Sequence, residues 1–452
     1  MQFDADLIRR YNMAAPRYTS YPTALSFTET VRGDQWRDAI ARAPSRQLSL
    51  YVHIPFCHQL CYYCGCNKVI TRHSHKADRY LDHLAQEIAY QAPLFADFQV
   101  HQLHLGGGTP TFLNQQQMRR LMAMLRSHFS FADDYYGAIE VDPRAIALTD
   151  LAWLAELGFK RLSMGIQDFD PAVQAAVNRV QSEEHIAGLM REARQQGFDS
   201  INMDFIYGLP FQHREQFIAS LDKALAMGPD RFSIFNYAHL PERFAAQRKL
   251  KDDTLPSPDE KLRILAATVE HLTGHGYRFI GMDHFAKEGD ELAKAQAAGK
   301  LHRNFQGYTT DGDCELLALG ASAISKVGDL YVQNEKDLAS YQRATDAQGH
   351  ARAKGYQLSM DDQYRAVVIR ELLCHFMLNW EALDERLGIN SRHYFADDVP
   401  LLAPFVKDGL LLISDSGIVI TPRGRALVRT IATAFDAHLR KQVQQHRFSR
   451  VI

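Results

Sequence analysis

An α/β fold is predicted for this 452-residue chain: an incomplete (β/α)6-type barrel, with an N-terminal arm and a mostly helical, winged-helix-like C-terminal domain. Three observations predict it. From Leu48 onward short apolar runs alternate with amphipathic helical segments six times, the pattern of strand–helix units around a parallel sheet. Little periodicity precedes that stretch after residue 12, and the alternation ceases near residue 335. The expected division is an arm over 1–45, a barrel over 46–335 and a helical domain over 336–452.

The arm carries Pro16-Arg17-Tyr18-Thr19-Ser20-Tyr21-Pro22, an extended, aromatic-rich segment because the residue before each proline is biased away from helix. The barrel strands are expected at Leu48–Ile54, Val100–Leu105, Ala138–Val141, Arg161–Ile166, Ser200–Ile206 and Phe232–Asn236. After the first, Leu81, Leu84 and Ile88 line one helical face. A polar connection over 241–261 precedes another helix and a further strand near Tyr277–Ile280. In the last domain, Leu410–Ile413 and Ile418–Ile420 flank Ser414-Asp415-Ser416-Gly417 as a hairpin between helices.

Hydrophobic residues make up 46% and charged residues 23%, so the chain should bury an ordinary globular core. With 51 basic and 53 acidic residues the net charge is -2, which argues against a nucleic-acid-binding field even for a winged helix. No run is long and apolar enough to span a membrane, and no leader pattern opens the sequence. A cytoplasmic, reducing setting and small-molecule partners are expected.

Four of the six cysteines, Cys57, Cys61, Cys64 and Cys66, fall within ten residues. Such crowding in one loop of a long chain points to metal ligation rather than disulfides. A structural zinc site using all four is the plain alternative, but zinc sites usually draw ligands from two separated pairs. Cys57, Cys61 and Cys64 are spaced to hold three irons of a cubane cluster, leaving one iron open to a small molecule. Cys374 reads as a core residue, and Cys314 has no partner motif.

Gly106-Gly107-Gly108-Thr109-Pro110 follows the second strand, where glycines permit close backbone approach to a ligand. Glu140, Gln167 and Asp204 end later strands, and such ends share the functional face of strand–helix barrels. His302-Arg303-Asn304-Phe305-Gln306-Gly307-Tyr308 reads equally as a surface loop or a substrate loop.

The Cys57-x3-Cys61-x2-Cys64 spacing, with aromatic Tyr63, resembles the radical S-adenosylmethionine enzymes. Tyr51-Val52-His53-Ile54-Pro55-Phe56-Cys57, Gly65-Cys66-Asn67, the glycine run, the arm and the closing Phe448-Ser449-Arg450-Val451-Ile452 are more specifically similar to the oxygen-independent coproporphyrinogen III oxidases. Tyr63 stands where that family commonly has phenylalanine, and Leu105 where tryptophan is frequent.

The resemblance implies a [4Fe-4S] cluster on Cys57, Cys61 and Cys64, whose electron cleaves S-adenosylmethionine to a 5′-deoxyadenosyl radical. Tyr51, Gly107 and Glu140 would meet that cofactor. A second S-adenosylmethionine, or the substrate, would meet Tyr63, Gly108, Thr109, Gln167, Arg179, Asp204, Ala238 and Ile324. Catalytic roles are expected for Tyr51, His53, Glu140, Cys66, Phe305 and Gln306.

The implied reaction decarboxylates two propionates of coproporphyrinogen III to vinyl groups, giving protoporphyrinogen IX for haem synthesis. Arg17, Arg179 and Arg303 are candidates to orient the substrate's carboxylates. An electron donor such as a flavodoxin-type protein and an electron acceptor of unknown identity are implied, and monomer is the family default. A haem-transfer chaperone of the same superfamily is the alternative; it typically lacks the Cys66 position and the arm.

Overall fold

The computed structural model describes residues 3–28 and 31–441; the closing segment Phe448–Ile452 lies outside them. Six strands build the expected parallel sheet: β1 (Gln47–Ile54), β2 (Gln99–Gly107), β3 (Ser130–Val141), β4 (Phe159–Gln167), β5 (Ser200–Tyr207) and β6 (Arg231–Asn236). Each pairs in parallel with the next. Helices α1 (His75–Gln91), α2 (Gln115–His128), α3 (Asp150–Glu156), α4 (Glu183–Gln195), α5 (Arg214–Met227) and α6 (Pro258–Gly274) follow them in turn. Leu48, Leu50, Val52 and Ile54 of β1 are wholly buried, and so are Leu81, Leu84 and Ile88 of α1. That apolar contact turns the repeated sequence pattern into a sheet covered by helices.

Beyond β6 the expected seventh strand exists as β7 (Tyr277–Gly281), but it is not another parallel member. It pairs with β8 (His284–Lys287), which runs antiparallel to both β6 and β7. Only Met282 and Asp283 separate the two strands, and a connection that short can make only a hairpin.

On the other side, β9 (Glu315–Leu319) pairs in parallel with β1. The antiparallel strands β10 (Ile324–Val327), β11 (Leu330–Asn334) and β12 (Arg352–Gln357) then extend the sheet. The complete order is β12-β11-β10-β9-β1-β2-β3-β4-β5-β6-β8-β7, twelve strands in one open sheet. The barrel sheet thus continues past residue 335, where the sequence reading ended it. Polar Arg352-Ala-Lys-Gly-Tyr-Gln has no apolar alternation to reveal an edge strand. Glu87 of α1 fixes this extension, accepting from Gly320 N at 2.8 Å, the Tyr341 hydroxyl at 2.7 Å and Asn334 Nδ2 at 2.6 Å.

The last domain begins with α7 (Met360–His375) and contains the expected hairpin, Leu411–Ile413 with Gly417–Ile420, joined by Met377–Asn379 into a three-stranded wing. The arm lies against this domain. Tyr18 donates to Asp436 at 3.0 Å, Ala437 N donates to the Tyr21 hydroxyl at 3.0 Å, and Arg429 donates to Pro16 O at 3.2 Å. No helix among the described residues is long and apolar enough to cross a membrane.

Candidate active site

The cysteine loop leaves the C-terminal end of β1, and the glycine run leaves the C-terminal end of β2 beside it. Backbone bonds hold the two together: Gly108 N donates to Ile54 O at 2.8 Å, and Thr109 N to Phe56 O at 2.8 Å. Gly107 adopts φ +117°, where a side chain is strained, and a Cβ there would stand 2.6 Å from the His53 ring. At Gly108 a Cβ would meet Phe56 O at 2.8 Å and the Cys57 sulfur at 3.0 Å. Bare backbone is therefore required at both positions.

Cys57, Cys61, Cys64 and Cys66 line one cavity of about 200 Å³ with Tyr63, Gly107, Gly108, Thr109, Glu140, Gln167, Arg179 and Asp204. Among the described residues no three His, Cys, Asp or Glu side chains gather closely enough to share a single metal ion. Thiolates drawn from one short loop and lining one cavity suit separate corners of a cluster. Hydrogen-bond donors already surround the sulfurs. Thr109 Oγ1 lies 3.5 Å from Cys57 Sγ, while Arg144 and Arg179 reach Cys61 Sγ at 3.3 and 3.4 Å. Such bonds to thiolate sulfur tune a cluster's potential. Asp142 anchors both arginines, at 2.7 and 3.2 Å.

Glu140, at the end of β3, accepts from His104 Nε2 at 3.1 Å and Gly107 N at 3.3 Å. Burial alone would raise its carboxyl, but bonds from His104 and Gly107 outweigh burial and hold it below the ordinary value. Glu140 thus stands ionised beside the glycine turn. The Tyr51 ring stacks on His104 at 5.7 Å, and its hydroxyl meets His53 Nδ1 at 3.1 Å. His53 Nε2 meets Asn67 O at 3.1 Å, and burial lowers the imidazole. His53 is a neutral support behind Gly107 rather than a wall of the cavity.

Gln167 takes φ +70° at a register shift between β4 and β5, and its buried Oε1 has no partner. Strained backbone that aims an unsatisfied oxygen into a cavity is a common mark of a ligand site. Asp204 accepts from Ser163 at 3.1 Å and Asn202 at 2.8 Å. Burial, then the charge of Glu140, push it up to about 6 from 3.8. The folded chain therefore holds this proton more tightly than the unfolded one, and the associated stability is lost as pH rises from 3.8 to about 6. Asp204→Asn is expected to raise the melting temperature of the cofactor-free protein at about pH 8 but not near pH 3. Scanning calorimetry at the two values checks it.

Other expected residues lie elsewhere. Ala238, just beyond β6, and Ile324, opening β10, do not line the cysteine cavity. Phe305 packs edge-on against Tyr331 at 6.1 Å, whereas Gln306 lines a neighbouring cavity of about 290 Å³ inside the barrel. That cavity shares Glu140, Ser163 and Asp204 with the cysteine cavity. Asp142 and Arg144 are site residues that sequence reading missed; their position directly after β3 was the available signal. Cys374 is buried in the core as expected.

A model of the Radical SAM superfamily matches residues 51–224, and one of the HemN C-terminal domain matches 358–427. The oxygen-independent coproporphyrinogen III oxidase of Salmonella typhimurium is 55% identical over 452 residues, covering 100% of this chain and 99% of the relative. The Pseudomonas aeruginosa protein of the same name is 49% identical over 457 residues, with the same shares covered. Among solved structures, coproporphyrinogen III oxidase (HemN) from Escherichia coli, a radical SAM enzyme, matches with a TM-score of 0.94 at 53% identity. That match covers 97% of this chain and 99% of the other.

Proposed function

The chain belongs to the oxygen-independent coproporphyrinogen III oxidases of the radical SAM superfamily, and on that premise we propose how its residues divide the work. The reaction is oxidative decarboxylation of coproporphyrinogen III in haem synthesis, with two propionates becoming vinyl groups. When bound, a [4Fe-4S] cluster and S-adenosylmethionine supply the one-electron chemistry that removes hydrogen from an unactivated carbon.

Cys57, Cys61 and Cys64 hold the cluster, and Cys66 borders the same cavity without being a ligand. Ionised Glu140 and the bare backbone of Gly107 receive the amino end of S-adenosylmethionine, with Tyr51 and His53 holding that wall in place. Tyr63, Gly108, Thr109, Gln167, Arg179 and Asp204 line the remainder and accept a second S-adenosylmethionine or the porphyrinogen. Ala238 and Ile324 join that set only by resemblance. Gln306 faces the barrel interior, where the tetrapyrrole enters, and Phe305 packs the hairpin that carries it.

The arm brings Arg17 over Phe235 and into an ion pair with Asp283. It thereby covers one side of the interior and excludes water from the reacting carbon. Six cysteines without a disulfide are consistent with a reducing cytoplasm. The enzyme works there as a monomer, with a flavodoxin-type donor and a separate electron acceptor.

The observation that carries this reading is one cavity holding the three cysteines and Glu140 and sharing a wall with the barrel interior. Reconstituted protein, incubated anaerobically with reductant, S-adenosylmethionine and coproporphyrinogen III, should give mono- and divinyl products. Tight haem binding without vinyl product would favour the haem-transfer alternative.

A further inference from the structure

We propose that Arg303, Arg370 and Lys326 form a carboxylate pocket for a propionate that the reaction leaves intact, an assignment that rests on the functional reading above. The three side chains line a cavity of about 140 Å³ on the far side of the hairpin formed by His302–Asn304 and Gly307–Thr309. This cavity shares Asn304 and Thr309 with the barrel interior, which in turn shares Glu140 and Asp204 with the cysteine cavity. A tetrapyrrole spread through adjoining spaces can present one propionate to the cluster while another reaches the basic pocket.

Charge accounting in the pocket favours an anion. Arg303 NH1 and Arg370 NH2 are buried without hydrogen-bond partners. A buried guanidinium N–H left unpaired is costly, and a carboxylate is its natural bidentate complement. Lys326 is influenced by Glu315 and Asp329, but neither forms an ion pair with it among the described residues. Burial lowers both the Lys326 ammonium and the Arg370 guanidinium, and the charges of Glu315 and Asp329 on the one and Glu371 on the other offset it only in part, which leaves a bound anion something to supply.

Asp311 also lines the pocket, but Gln102 Nε2 and Thr310 Oγ1 already donate to its carboxylate. His302 is neutral, pushed down to about 3 by burial and by Arg370 and Arg386. Arm residues Tyr18 to Tyr21 complete the lining, so the arm walls one side of this pocket.

The test compares coproporphyrinogen III with a porphyrinogen methyl-esterified on the two propionates that survive the reaction. Esterification should raise the wild-type KM about 10- to 100-fold, the worth of a charge-assisted hydrogen bond. Lys326→Met and Arg370→Met should show a comparable rise for the free acid, with kcat within about threefold and a smaller penalty from esterification than wild type. Arg370→Lys should recover part of the loss. Lys326→Gln carries the same comparison should the methionine variants fail to fold.

A free-acid KM within about twofold of wild type, or an ester penalty as large in the variants as in wild type, overturns the pocket. A wild-type chain that makes no vinyl product overturns the functional reading instead, a distinguishable result.

Discussion

Serine at Cys57, Cys61 or Cys64 is expected to remove the broad visible absorbance of the anaerobically reconstituted protein and reduce vinyl formation to background. Each thiolate would hold a separate iron, and an alcohol does not replace a soft sulfur donor. Cys66→Ser is expected to keep that absorbance, because Cys66 borders the cavity as an exposed fourth thiol. Anaerobic absorption spectra with iron and sulfide analysis check all four variants. An unchanged spectrum in any of the first three contradicts its ligand role.

Glu140→Gln is expected to weaken S-adenosylmethionine binding about 10- to 100-fold while leaving the cluster spectrum in place. The substitution keeps shape but removes the charge that His104 and Gly107 stabilise. A neutral amide complements an ammonium group less well and presents its own donor to the Gly107 N–H. Anaerobic calorimetric titration of the reconstituted variant measures the change. Binding within about twofold of wild type would remove Glu140 from the cofactor site.

Much of this architecture was legible because its residues obey one local rule at a time. β1 read correctly because Leu48, Leu50, Val52 and Ile54 alternate with Ser49, Tyr51 and His53, and β2 because buried Val100, Leu103 and Leu105 mark a short apolar stretch between turn residues and the glycine run. The beginning of β3 was hidden by Asp133-Asp134, two exposed acids that interrupt any apolar pattern before Ala138. Strand direction at β7 was illegible because side-chain periodicity is identical in parallel and antiparallel strands. The polar edge strand β12 hid the extent of the sheet in the same way.

The site divides along similar lines. Cysteine spacing and the glycine run announce themselves because few other uses demand those residues so close together. Glu140, Gln167 and Asp204 were visible as strand-end polar residues, and all three line the cysteine cavity. Arg144 was not, because an arginine after a strand ordinarily reads as solvated surface; only the fold places its guanidinium on Cys61. The basic pocket is equally tertiary. Arg303, Lys326 and Arg370 come from a hairpin, the inner strand β10 and the first helix of the last domain.

Coproporphyrinogen III deuterated at the propionate β carbons provides the most direct test of the central claim, that this cavity aims radical chemistry at a propionate. Turnover under strict anaerobiosis should yield 5′-deoxyadenosine carrying deuterium, in step with vinyl product. Vinyl product accompanied by unlabelled 5′-deoxyadenosine would contradict it.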